Sequence, residues 1–187
     1  MTGTAGPRQP GPRQLGPTDV KRLNRSWRRL AGTRIALLLD SVSQPFNVGS
    51  IIRTAAALGV ERVWLCGDTA PPGHPSARKT SLGTDRYLAL EREPAGAAAA
   101  AGAARAAGFR VVAIELAADA VPLHEAPLDG DICLALGHED RGCSAGLLAA
   151  ADVVAYIPQP GRVGSLNVAA AAAIAIAETR RRTWPRA

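Results

Sequence analysis

Three segments of this chain set polar or charged side chains against apolar surroundings. In the first, DSVSQPFNVGSIIRTA (40–55), Asn47 and Arg53 lie on a stretch that also holds Ile51, Ile52, Ala55 and Ala56. The six-residue spacing is roughly one and two-thirds helical turns. Burying a guanidinium in such company is costly unless it meets an anion. Arg53 could therefore aim at a phosphate, or it could reach solvent or an acidic side chain. Asn47 could cap the helix that carries both.

The second segment, LALGHEDRGCS (134–144), leaves an apolar run at Leu136 and Gly137 and continues as His138, Glu139, Asp140, Arg141 and Gly142. Glycine at 137 and 142 lets backbone approach a ligand closely. Glu139 could pair with Arg53 or Arg141, or orient a substrate. His138 is of a type used for proton transfer, but no other residue in the chain orients it recognisably. A solvated turn with local ion pairs is the plain alternative. The third segment, IPQPGRVGSLNVAAAAAIAIAE (157–178), places Ser165 and Asn167 just before an alanine-rich apolar run. Capping accounts for one of them; a wall of a ligand site would account for both.

These segments need a scaffold, and the rest of the chain supplies one. RIALLLD (34–40) and ERVWLCG (61–67) read as buried strands around a helix, VGSIIRTAAALG (48–59). DRYLALE (85–91), FRVVAIEL (109–116), DICLALG (131–137) and DVVAYIP (152–158) add four strands. Helices are expected at 95–108, weakened by Gly102, at 144–151 and at 166–181, with a loop from Asp68 to Pro75. Continuous apolar strands alternating with helices predict an α/β fold: a mainly parallel sheet with helices on both faces. Ligands of such sheets sit at the carboxyl ends of the strands, where all three segments fall. The phosphate-cradling glycine motifs, a GxSxG elbow and an HExxH pair are all missing.

Of the 187 residues, 47% are hydrophobic and only 4% aromatic, so the core must be aliphatic and closely packed. The net charge of +6 favours polyanionic partners, and it is concentrated at the ends. Arg8, Arg13, Lys21, Arg22, Arg25, Arg28, Arg29 and Arg34 face one acid, Asp19, within residues 1–34; Arg180, Arg181, Arg182 and Arg186 close the chain. Solubility and codon usage are the competing explanation. A Pro-rich segment (1–17) is expected to be disordered. A short helix, Asp19 to Leu30 with Thr18 as its cap, would use Trp27 and Leu30 to pack on the domain or a partner. Cys66, Cys133 and Cys143 form no CxxC pair, so no metal site or disulfide scaffold is expected. No apolar run is long enough to span a bilayer, and no signal peptide is visible. A cytoplasmic protein is expected, with a basic extension (1–32), one domain (33–181) and a basic tail (182–187).

The three segments, in this order, resemble the TrmH (SpoU) branch of the SPOUT RNA methyltransferases. They match as Asn47-x-Gly49-x-x-x-Arg53, then Gly137-x-Glu139-x-x-Gly142, then Ile157-Pro158-x-x-Gly161 running to Ser165-Leu166-Asn167-Val168. The resemblance covers about residues 34–181 and implies a deep C-terminal trefoil knot, a homodimer, S-adenosylmethionine as cofactor and a ribose 2′-hydroxyl of tRNA or rRNA as acceptor. It assigns reaction roles to Asn47, Arg53, Glu139, Ser165 and Asn167. It implies cofactor contacts at Leu136, Gly137, His138, Gly142, Ile157, Pro158, Ser165, Leu166 and Asn167. KTSLGTDRYL (79–88) resembles the substrate-facing segment of the tRNA enzymes, and the short extension also favours tRNA. Ala169 stands where relatives often have Ser. A knotted RNA-binding module without catalysis is the alternative of a different class.

Overall fold

The structure is a computed structural model that describes residues 11 and 13–184. Most of the expected disordered segment, residues 1–10 and 12, and the end of the basic tail, 185–187, lie outside the described residues. The chain divides into two compact units, Met1–Leu30 and Ala31–Ala187. The first holds one helix, α1 (Pro17–Leu30), with Asp19 in its first turn and Arg28 and Arg29 in its last. It begins at Pro17, a residue whose fixed φ suits a first helical position, so Thr18 is inside the helix and not its cap. None of its residues is buried, and Trp27 and Leu30 are 44% and 47% exposed.

The second unit is a seven-stranded parallel sheet: β1 (Ile35–Asp40), β2 (Arg62–Cys66), β3 (Ala89–Glu93), β4 (Arg110–Ile114), β5 (Val121–Pro122), β6 (Ile132–Leu136) and β7 (Val153–Tyr156). The strands lie in the order β3-β2-β1-β6-β4-β7-β5. Late β6 is thus inserted between early β1 and β4, pairing Leu39 with Leu136 on one side and Ile114 with Leu136 on the other. That insertion brings the ends of β1, β4 and β6 together.

Both faces of the sheet are covered, as the apolar strands require. Ile35, Leu37 and Leu39 point into one layer with α2 (Pro45–Ala57) and α6 (Val168–Thr183); alternate residues Ala36 and Leu38 point into the other with α4 (Ala97–Ala106) and α5 (Ala145–Ala150). α4 buries Ala97, Ala100, Ala101 and Ala104, a stripe at helical spacing, and it continues through Gly102. The three cysteines are free and buried, and burial pushes their thiols up, Cys66 to about 12.

Several boundaries differ from the sequence reading. The segment 85–91 is not one strand: a 3-10 helix, Thr84–Tyr87, precedes β3. A short helix, α3 (Pro75–Ser81), follows the expected loop, capped by the His74 side chain accepting from the Ser76 amide. α2 starts at Pro45, three residues before the expected start, with Gln44 as its cap position. Asn47 therefore sits in the first turn and is not the cap. α6 spans 168–183 rather than 166–181, so Leu166 lies outside it and Arg182 inside it.

Candidate active site

The loop after β6 turns back at once. His138 and Gly142 exchange backbone hydrogen bonds of 3.0 and 2.9 Å. A Cβ on Gly137 would come within 2.1 Å of the Gly142 carbonyl carbon, so this turn closes only over glycine. The His138 Nδ1 accepts from the Asp140 amide at 3.0 Å, which ties that nitrogen into the turn.

The turn throws Glu139 across to the start of α2. Its Oε1 accepts from the Gln44 amide at 3.0 Å and from Asn47 Nδ2 at 2.9 Å. Its Oε2 accepts from the Ser43 amide and hydroxyl at 3.0 and 3.2 Å. Gln44 provides no side-chain cap; the carboxylate from the second segment meets the positive end of the helix instead. Glu139 forms no bond to Arg53 or Arg141, so of the alternatives open in the sequence the ion pair is absent. Burial raises the Glu139 pKa, but the bonds from the Asn47 side chain and from the amides of Glu139, Gln44 and Ser43 outweigh it and hold the carboxyl below its usual value.

Asn167 completes the chain of contacts. Its Nδ2 donates to Asn47 Oδ1 at 3.0 Å, while its Oδ1 caps α6 by accepting from the Ala169 and Ala170 amides at 2.9 and 3.2 Å. One asparagine thus does the capping and also joins the third segment to the first. Glu139, Asn47 and Asn167, from three distant parts of the sequence, form one continuous hydrogen-bonded line.

Beside this line, at the carboxyl ends of β4, β6 and β7, lies a cleft of about 410 Å³. Leu136, Gly137, His138, Glu139, Gly142, Ile157, Ser165 and Leu166 line it. Pro158 and Asn167 do not: Pro158 is exposed and Asn167 is turned to Asn47 and the α6 amides. Arg53 is not in the wall either. It is exposed on α2 and makes no hydrogen bond or ion pair among the described residues, so the structure favours the solvent-facing alternative over a buried guanidinium. Ser165 is exposed at the cleft.

The sequence reading passed over Glu115 and Gln159, which also line the cleft. Glu115 follows the last residue of β4, and Gln159 lies between Pro158 and Pro160. A carboxylate directly after a buried strand was the available signal for the first. The Gln159 Oε1 is buried without a hydrogen-bond partner. A cleft with a tight glycine turn on one side and an orphaned acceptor on another fits a polar organic ligand of nucleoside size.

Comparison with known proteins finds RNA methyltransferases. A 23S rRNA (guanosine(2553)-2′-O)-methyltransferase, RlmP, of Bacillus subtilis is 34% identical over 152 residues, covering 81% of this chain and 60% of its own. A tRNA (guanosine(18)-2′-O)-methyltransferase of Thermus thermophilus is 33% identical over 147 residues, covering 79% and 74%. The AdoMet-bound rRNA methyltransferase of Sinorhizobium meliloti superposes with a TM-score of 0.74 at 33% identity, over 80% of this chain and 56% of that one. The chain thus spans little more than half the length of the longer relatives. The profile of the SpoU rRNA Methylase family matches residues 34–177, and the chain belongs to that family.

Proposed function

We propose that this protein transfers a methyl group from S-adenosylmethionine to a ribose 2′-hydroxyl of RNA, with tRNA as the substrate. The observation that carries the reading is the Glu139–Asn47–Asn167 line, which closes the three family segments around one nucleoside-sized cleft. The cleft residues Leu136, Gly137, Ile157 and Leu166 would hold the cofactor through backbone and apolar contact. The bound cofactor supplies an electrophilic methyl on a sulfonium. Bound there, it would give that methyl to the ribose oxygen and leave as S-adenosylhomocysteine, with the displaced hydroxyl proton passing to solvent water.

Glu139 is a poor base for that proton, because four donors already occupy its carboxylate and its pKa is lowered. Its role is to set the start of α2. Arg53, exposed and unengaged on the same helix, would clamp a neighbouring RNA phosphate and stabilise charge developing on the oxygen. Arg53→Ala is expected to lower the methylation rate by on the order of a hundredfold while leaving cofactor affinity unchanged. A loss of cofactor binding would move Arg53 to a different role.

Support for tRNA comes from residues 79–88. They fold as the end of α3 and the 3-10 helix beside α2, with Lys79, Arg86 and Tyr87 exposed. Exposed Phe46, Val163, Leu166 and Ile174 on α2, the third segment and α6 support a homodimer. Family membership supports threading of the C-terminal segment as a trefoil knot. Among the described residues no helix is long and apolar enough to cross a membrane, and a cytoplasmic site of action is part of the proposal. Labelled methyl transfer to total tRNA and rRNA from a deletion strain, followed by nucleoside mapping, tests it. Label on ribose in tRNA is expected; label confined to rRNA would overturn the substrate, and label on base atoms would overturn the reaction.

A further inference from the structure

Two side-chain oxygens of the described residues are buried without a partner: Thr33 Oγ1 and Gln159 Oε1. Thr33 lies far from the cleft, where its carbonyl accepts from Arg180. Gln159 lines the cleft itself. A buried acceptor without a donor is costly, and native folds satisfy nearly all of theirs. The Gln159 amide makes no side-chain hydrogen bond among the described residues, so no internal contact accounts for its polarity. Its flanks are stiff: Pro158 and Pro160 each lack an N–H and restrict the residue before them to extended backbone.

A second acceptor shares the cleft. Glu115 is fixed by the Leu116 amide on Oε1 at 3.0 Å and the Cys143 amide on Oε2 at 2.7 Å. A Cβ at Gly142, where φ is +68°, would fall 2.3 Å from Glu115 Oε2, so the second segment closes over this carboxylate. A carboxylate offers about four acceptor sites, and two amides leave the remainder open. Glu115 lies outside the three segments, and Gln159 stands at a position of the third segment to which the resemblance assigns no role.

We propose that Gln159 is a specificity-determining residue of the cofactor cleft, accepting a hydrogen bond from a hydroxyl or amino donor on the nucleoside half of the ligand, with Glu115 as a second acceptor in the same wall. This rests on the cofactor reading above. The S-adenosyl group carries such donors on its ribose diol and its adenine amino group, and Gln159 Oε1 and the Glu115 carboxylate are acceptors in the wall. Gln159 is then unsatisfied in the free protein and satisfied on binding, so its replacement should move stability and affinity in opposite directions.

The test is calorimetry of the full chain with S-adenosylhomocysteine, alongside thermal unfolding without ligand. Gln159→Met keeps the length and removes the acceptor. It should weaken binding about tenfold and raise the ligand-free melting temperature by about 2–4 °C. Gln159→Glu keeps an acceptor and should bind more tightly than Gln159→Met. The 2′,3′-dideoxy and inosine analogues of S-adenosylhomocysteine distinguish the donor: the variant's penalty should vanish for the analogue that lacks it. A well-folded Gln159→Met that binds S-adenosylhomocysteine as the unsubstituted protein does would overturn this inference alone. Lower melting without an affinity loss would assign Gln159 a packing role and also overturn it. If the unsubstituted protein binds neither S-adenosylmethionine nor S-adenosylhomocysteine, the cofactor reading falls with it.

Discussion

α1 and the last turns of α6 both carry runs of basic residues, and the two runs are used differently. On α1, Lys21, Arg22, Arg25, Arg28 and Arg29 are all exposed and make no hydrogen bond or ion pair among the described residues. On α6, Arg180 is 4% exposed and donates to the carbonyls of Thr33, Leu58 and Gly59. It thereby satisfies the carboxyl end of α2, where carbonyls lack helical donors and a cation is favoured. Arg181 and Arg182 both grip Glu178 at 2.7–2.9 Å. A count of arginines treats both ends as polyanion-binding. Only α1 presents its charge unengaged.

The strongest way to test this difference is to remove Arg180. Arg180→Ala strands three carbonyls at once, and an unfolding free energy lower by about 3 kcal/mol is expected in denaturant titration. An unchanged midpoint would mean the buried guanidinium is dispensable. The reciprocal change is deletion of residues 1–32. tRNA affinity should then fall at least about tenfold at low salt, with a shallower dependence on salt, while affinity for S-adenosylmethionine stays within error. Equal RNA binding before and after deletion would remove the functional half of the comparison.

Glu178 gives the smallest effect, because Arg181 is 61% exposed and surface pairs contribute little. Its pKa is lowered from 4.5 to about 2, first by the Arg181 hydrogen bond, against burial, and then by Arg182. A lowered folded-state value means the unfolded chain binds the proton first as pH falls. The stabilisation is therefore complete above pH 4.5 and lost progressively toward pH 2. Glu178→Gln should flatten the stability profile in that window and leave RNA affinity unaltered. A profile unchanged in slope would mean the crowded pair has no energetic consequence.

Legibility followed burial and local spacing. The strands β1, β4 and β6 are continuous apolar runs covered on both faces, and their existence could be read to within two residues. Segment 85–91 could not be divided by pattern, because a 3-10 turn and a half-exposed edge strand share one composition. The short helix α3 is too brief to show a period. Arg53 is anomalous among isoleucines and alanines in sequence only, because helix neighbours in sequence face different directions; the structure turns it outward. Charge alone offers Glu139 the arginines at 53 and 141 as partners, whereas the start of α2 provides amides and Asn47.

What the sequence by itself determined is the alternation of buried strands and helices, the place of three polar segments at strand ends, and their residue types. Those features are local, set by side-chain period, apolarity and backbone-permissive glycine. The structure alone decided that β6 enters between β1 and β4, and that insertion brings residues 47, 139 and 167 into one line. It also decided that Asn167 caps and bridges at once, that Arg180 is structural, and that Gln159 faces the cleft unsatisfied. These depend on which distant donors and acceptors meet, and hydrogen-bond satisfaction across a hundred residues leaves no local period to read.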